Sequence, residues 1–358
     1  MRRLHLPGQR RRLLPAQLKI RDEDGGRMIL HVGMHKTGTS SIQQALSSAL
    51  TDDRFRFLKL GGFANGSLIV GNAYAEIDGY PHDPASPLEL RRQARRFGMK
   101  LITSELNAFD ERIPILSAEI ICSLGEQAKR AFLDMLSRYY PDVRIAAYVR
   151  RPKSYVESAY QERLKHSLVR VDDLVEDVSY RRIFSPFEEL LGRSAVSLRL
   201  FDRQSLLEGD VVTDFAACFG IVMNKSTPIR ENETLSLDAV KLLYIYRLFN
   251  PVFRDSDSAV ISLLSTIQGG RFAFQHSVFE RAAIIGGEDI EWVNERLNVQ
   301  IDVCPDTTDG GISSDADMLS LRPESLDVLS QRLGVRPSTI SGGPHEIATA
   351  LAGYRDAA

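Results

Sequence analysis

Cysteine is scarce in this chain. Its 358 residues include three, Cys122, Cys218 and Cys304, none within C-x-x-C distance of another. A small, odd and scattered set excludes a disulfide framework and a thiolate metal knuckle, and reads as buried thiols in a reducing cytoplasm. The seven histidines form no H-E-x-x-H or similar ligand pair, so no metal is expected. No apolar run approaches the ~20 residues of a membrane helix. Net charge is nearly absent as well, at −2 from 45 basic and 47 acidic residues. That balance provides no global field to recruit nucleic acid or an acidic membrane. No internal repeat is evident. At this length the chain has ample material for a core.

What is present is concentrated first in Ile29-Leu30-His31-Val32-Gly33-Met34-His35-Lys36-Thr37-Gly38-Thr39-Ser40-Ser41. A short apolar run reads as a buried strand, followed by a glycine-bearing loop with one lysine and a helix opening on hydroxyl residues. Ile42, Ala45, Leu46, Ala49 and Leu50 recur at helical spacing. Strand, glycine loop and helix N-terminus together make an anion site, because unpaired N–H groups converge there and the helix dipole favours negative charge. Gly33 and Gly38 have the spacing of the nucleotide-triphosphate loop G-x-x-x-x-G-K-[ST], but Thr39 stands where that loop carries lysine. This counts against a P-loop nucleotide kinase or NTPase, which stays the alternative.

A second segment runs from Asp142 through Arg150-Arg151-Pro152 to Ser158 and Tyr160. Val143 to Val149 reads as a strand, and Pro152 suits the first turn of the following helix. Arg150 then stands at the strand end and Ser158 about two turns into the helix. A guanidinium can grip a phosphate bidentately, and a hydroxyl adds one directed hydrogen bond.

The Lys36-Thr37-Gly38-Thr39-Ser40 loop and the Arg150/Ser158 pair, in that order and each at a strand-to-helix step, resemble sulfotransferases that use 3′-phosphoadenosine 5′-phosphosulfate (PAPS). The likeness is greatest to bacterial members whose chains open with a strand and a G-M-x-K-T-G-T loop. It implies a P-loop-type three-layer α/β/α fold with a mainly parallel central sheet. It further implies that His35, Lys36, Thr37, Gly38, Thr39 and Ser40 hold the 5′-phosphosulfate, and that Arg150 and Ser158 hold the 3′-phosphate. Lys36 would also be catalytic. Glu105 is expected at the carboxyl end of a strand over 99–104, where parallel sheets bind ligands. The resemblance makes it the base that takes the acceptor's proton; otherwise it caps the next segment or pairs with an arginine. The implied reaction moves a sulfuryl group to a hydroxyl or amine acceptor, a saccharide or other small metabolite, without a metal. A non-catalytic nucleotide- or glycan-binding relative is the remaining reading.

The expected organisation is a basic extension over 1–27, a catalytic domain over 28–300, and a peripheral, partly flexible tail over 301–358. The extension is either disordered or precedes a translation start at Met28. Strands are expected near 28–32, 99–104, 143–149 and 195–201. Helices are expected near 38–50, 86–97, 125–139, 152–167, 204–219 and 236–249, with an amphipathic stretch over 285–300 and a short helix at 323–333. Such alternation argues an α/β fold. Gly269-Gly270-Arg271-Phe272 is only loosely similar to the family's late glycine-rich basic loop, and no cofactor contact is assigned to it. Arg91, Arg92, Arg95 and Arg96 form a basic helical face that reads as solvated. The stretch from Gly61 to Tyr80 has the polar and aromatic make-up of a saccharide-facing loop or of any surface loop. The sequence leaves the acceptor and the oligomeric state open.

Overall fold

The computed structural model describes residues 26–74, 88–108, 111–224, 235–301, 311–340 and 343–357. Most of the basic extension, Tyr80 and Cys304 therefore lie outside the described residues. The strands are β1 (Arg27–Gly33), β2 (Phe55–Phe57), β3 (Ile113–Ser117), β4 (Asp142–Val149), β5 (Glu176–Asp177), β6 (Val196–Leu200) and β7 (Ala283–Ile284). Early helices are α1 (Thr39–Ser48), α2 (Ser67–Tyr74), α3 (Leu88–Asn107), α4 (Ile120–Ser123), α5 (Glu126–Ser137), α6 (Pro152–His166), α7 (Tyr180–Leu191) and α8 (Val211–Phe219). The later ones are α9 (Leu237–Phe249), α10 (Asp257–Ser265), α11 (His276–Ala282), α12 (Gly287–Leu297), α13 (Asp315–Leu319), α14 (Pro323–Leu333) and α15 (Pro344–Ala357).

Five strands form a parallel central sheet in the order β2-β3-β1-β4-β6, flanked by helices in a three-layer α/β/α arrangement. β1 is the middle strand, and Met28 to Val32 are buried along its length. Burial on both faces explains why it reads as a continuous apolar run. Ile29 stands opposite Ile115 and His31 opposite Ser117 in the β1–β3 register.

The described residues fall into two compact units. The first comprises those up to Val32 with Asp52–Ile145 and Pro186–Val196. Its helices α2 and α3 pack together, and Phe132 of α5 meets the Tyr74 ring edge-on at 5.1 Å. The second comprises Gly33–Thr51, Ala146–Ser185 and the chain from Ser197 onward. There α9 is the hub. Nine of its residues are buried, against α6, α10, α13 and α15.

One expectation is corrected. The segment 99–104 is not a strand but the C-terminal half of α3, whose buried residues Gly98, Ile102 and Leu106 repeat every four positions along one face. The strand that pairs with β1 lies further on, at β3. In the C-terminal segment, α15 buries Ile347, Ala348, Leu351 and Arg355, and packs on α9 and α10. Helix α8 begins at Val211, later than expected, where Asp210 caps it by accepting from Thr213 N at 2.8 Å.

Candidate anion-binding site

The chain leaves β1 at Gly33 (φ 95°) and turns through Lys36 (φ 65°) and Gly38 (φ 75°) before α1 begins. Gly38 is needed here for two reasons. Its left-handed backbone suits glycine, and a Cβ would stand 2.8 Å from Val211 Cγ1 and 3.2 Å from Phe201 Cε2. Thr37 is buried, and its hydroxyl donates to Met34 O at 2.6 Å, closing the loop on itself. Thr39 Oγ1 reaches the same oxygen at 3.5 Å. The first intrahelical bond runs from Ile42 N to Gly38 O at 3.1 Å. The amides of Thr39, Ser40 and Ser41 thus precede the helical ladder, and α1 has no acidic residue in its first turn. This is the donor set that a helix N-terminus offers an anion. Ser40 is exposed and His35 half-buried.

Pro152 opens α6 directly after β4, which leaves Arg150 at the carboxyl end of that strand. Arg150 donates from Nη1 to Lys36 O at 2.9 Å and from Nε to Ser154 Oγ at 2.8 Å. Its own carbonyl accepts from the Tyr180 hydroxyl. The guanidinium lies 5.9 Å from the centre of the Phe201 ring. Burial lowers its pKa; Glu157 works against this, and Arg271 adds to it.

Glu157 is buried and organises the far side of this cluster. It accepts from Phe274 N at 3.2 Å and approaches Arg271 Nη2 at 3.7 Å. Burial pushes its carboxyl up, against the Phe274 amide and the charges of Lys153, Arg271 and Arg150. Three cations therefore surround one buried carboxylate, a surplus of positive charge that suits a phosphate. Stacking of Phe272 on Tyr160, with ring centres 5.6 Å apart, fixes the segment that delivers Arg271.

Ser154, Ser158 and Glu162 follow at four-residue intervals on α6 and share a face. Ser158 is half-buried, and its hydroxyl makes no hydrogen bond to another described residue. Lys36 reaches this face, its Nζ donating to Glu162 Oε2 at 3.0 Å. Lys165 Nζ donates to the same oxygen at 3.1 Å. Burial pushes the Glu162 carboxyl up, but Lys36 and Lys165 outweigh it and bring it to about 2.

Two carboxylates belong to the first unit. Glu105 lies in the last turn of α3, where its carboxylate is 3.7 Å from Arg56 Nη1 and its carbonyl accepts from Arg56 Nη2 at 3.1 Å. The strand end that made it a base is absent, and its contacts are those of a helix-end ion pair. Glu119 instead occupies such a place, two residues after β3. Its charge is felt by His31 of β1, whose pKa burial pushes down to about 4 while Glu119 opposes the shift.

The structure brings Arg150 onto the loop that holds Lys36, Thr37, Gly38 and Thr39, with Ser158 one turn beyond the serine that Arg150 touches. The sequence reading did not single out Ser154, Glu157, Glu162 or Arg271 as site residues. The four-residue spacing of Ser154, Ser158 and Glu162 was the one available signal for α6. Among the described residues, no group of His, Cys, Asp and Glu could hold a metal ion, and no helix is long and apolar enough to cross a membrane.

No family model matches the chain, and no curated protein matches it. Among solved structures, a sulfotransferase from Alicyclobacillus acidocaldarius aligns with 62% of this chain and 94% of its own, at 18% identity and a TM-score of 0.37.

Proposed function

We propose that this chain is a PAPS-dependent sulfotransferase that sulfates a hydroxyl or amine on a saccharide or similar small metabolite in the cytoplasm. The observation that supports it best is the hydrogen bond from Arg150 to Lys36 O. It ties the strand-end guanidinium to the lysine loop, so that two cationic pockets are joined as a donor phosphorylated at both the 3′ and 5′ positions requires. Lys36, Thr37, Thr39 and the first amides of α1 would hold the 5′-phosphosulfate. Arg150, Ser158 and Arg271 would hold the 3′-phosphate.

In the reaction, the acceptor oxygen or nitrogen forms a bond to sulfur as the bond from sulfur to the bridging oxygen breaks in line. The electron pair leaves on the 5′-phosphate of adenosine 3′,5′-bisphosphate, where Lys36 and the loop amides offset the growing charge. The acceptor's proton goes to a carboxylate. The resemblance gives that role to Glu105, whose carboxylate lies 3.7 Å from Arg56 Nη1. Glu105→Gln is expected to lower turnover on the order of a hundredfold or more. Turnover within about threefold of wild type in a steady-state assay would remove Glu105 from the reaction.

Calorimetry tests the reading. Adenosine 3′,5′-bisphosphate should bind without magnesium and ATP with magnesium should not. Radiolabelled PAPS incubated with fractionated cell extract should then identify the acceptor by label transfer. Preference for ATP would favour the kinase reading, although Thr39 after Gly38 leaves no lysine where that chemistry needs one.

A further inference from the structure

Lys36, the residue assigned to the leaving oxygen, already has a partner of opposite charge. Its ammonium is on Glu162 Oε2 at 3.0 Å, and that oxygen also receives Lys165 at 3.1 Å. His166 Nε2 is 3.7 Å from the other carboxylate oxygen. A carboxylate with a second ammonium on the same oxygen can give up the first without becoming an isolated charge. Glu162 also lies two turns along α6 from Ser154, the serine bonded to Arg150, with Ser158 between them. The Lys36 main chain is anchored by Arg150 at one end of this face, while its side chain rests at the other.

The geometry points to Glu162 as a positioning residue: the resting counter-ion of Lys36, displaced by the 5′-phosphosulfate of the donor and retaken when the bisphosphate leaves. This rests on the sulfotransferase reading and adds to it an exchange of partners. In the resting chain the carboxylate competes with the donor for Lys36. In the loaded chain Lys165 keeps Glu162 neutralised, so Lys36 is free to act at the reacting oxygen. Both Lys36 and Glu162 are partly exposed, at 25% and 40% of the side chain, so the competition is modest.

Affinities of Glu162→Gln for two nucleotides test the assignment. Adenosine 3′,5′-bisphosphate, whose 5′-phosphate meets Lys36, should bind the variant about threefold to tenfold more tightly than wild type. Adenosine 3′-monophosphate lacks that phosphate and should bind both equally. In a Lys36→Ala background the gain from Glu162→Gln should vanish, because no ammonium remains to be released. A gain that persists in that background, or extends equally to the 3′-monophosphate, would reduce Glu162 to a general repulsive charge and overturn the exchange. An unchanged bisphosphate affinity would overturn it too. Failure of wild type to bind the bisphosphate at all would refute the functional reading itself.

Discussion

His31 is fully buried near the end of β1, with its Nδ1 2.9 Å from Ser117 Oγ. Burial holds its folded pKa near 4, below the ordinary 6.5. The neutral ring is therefore the native form, and the unfolded chain binds the extra proton first as pH falls. Stability from this residue is complete above pH 6.5, declines as pH drops towards 4, and levels off below. The difference corresponds to on the order of 3 kcal/mol. Denaturant midpoints should fall more steeply over that window in wild type than in His31→Asn; equal slopes would place the acid sensitivity elsewhere. At the proposed reaction centre, Lys36→Ala should lower turnover by on the order of a hundredfold while sparing the fold. Arg150→Ala should mainly weaken bisphosphate binding. Steady-state kinetics and calorimetry on the two variants separate these effects.

At the scale of elements, the turn from β1 into α1 depends on Gly38. Gly38→Ala meets Val211 at 2.8 Å and places a side chain at φ 75°, where the backbone alone costs roughly 1–2 kcal/mol. Thermal melting should register that loss, accompanied by weaker anion binding; an unchanged melt would mean the loop readjusts freely. This turn was legible because β1 is a buried apolar run and α1 repeats its apolar residues at helical spacing. β4 and α6 were legible for the same reason, with Pro152 marking the junction. The segment Lys100-Leu101-Ile102-Thr103-Ser104-Glu105 was misread because a short apolar run fits a buried strand and a helix face equally. What settles it is the spacing of Gly98, Ile102 and Leu106, which requires the whole of α3 to be seen at once. β3 was missed for the opposite reason: five residues, one of them Pro114, give little pattern to find. Arg271 and Glu157 are 114 positions apart in the chain, and nothing local in either segment announces their contact.

At the scale of the molecule, the second unit is held by a buried ionic network around Asp257. That carboxylate accepts from Tyr246 Oη at 2.6 Å and Arg247 Nη1 at 2.7 Å, and Arg355 of α15 approaches at 3.7 Å. Arg247 also donates from Nε to Leu164 O at 3.1 Å and from Nη2 to Lys165 O, capping the end of α6. Replacing Arg247 with leucine leaves Asp257 charged and buried without its main partner. It should cost about 3–5 kcal/mol, read by denaturant unfolding, and should loosen the helix that carries Ser154, Ser158 and Glu162. A variant of wild-type stability would show that Arg355 alone suffices.

The left-handed backbone of Lys36 (φ 65°) has a further consequence for how such a protein can be improved. Glycine adopts that conformation without the penalty a lysine incurs, and the ion pair it would sacrifice is a partly exposed one of small worth. A library screened for heat tolerance alone would thus enrich glycine at position 36 and return hardy, inert chains. With Lys36 in the proposed role, robustness and turnover are opposed at this position, and directed evolution here must select for both together.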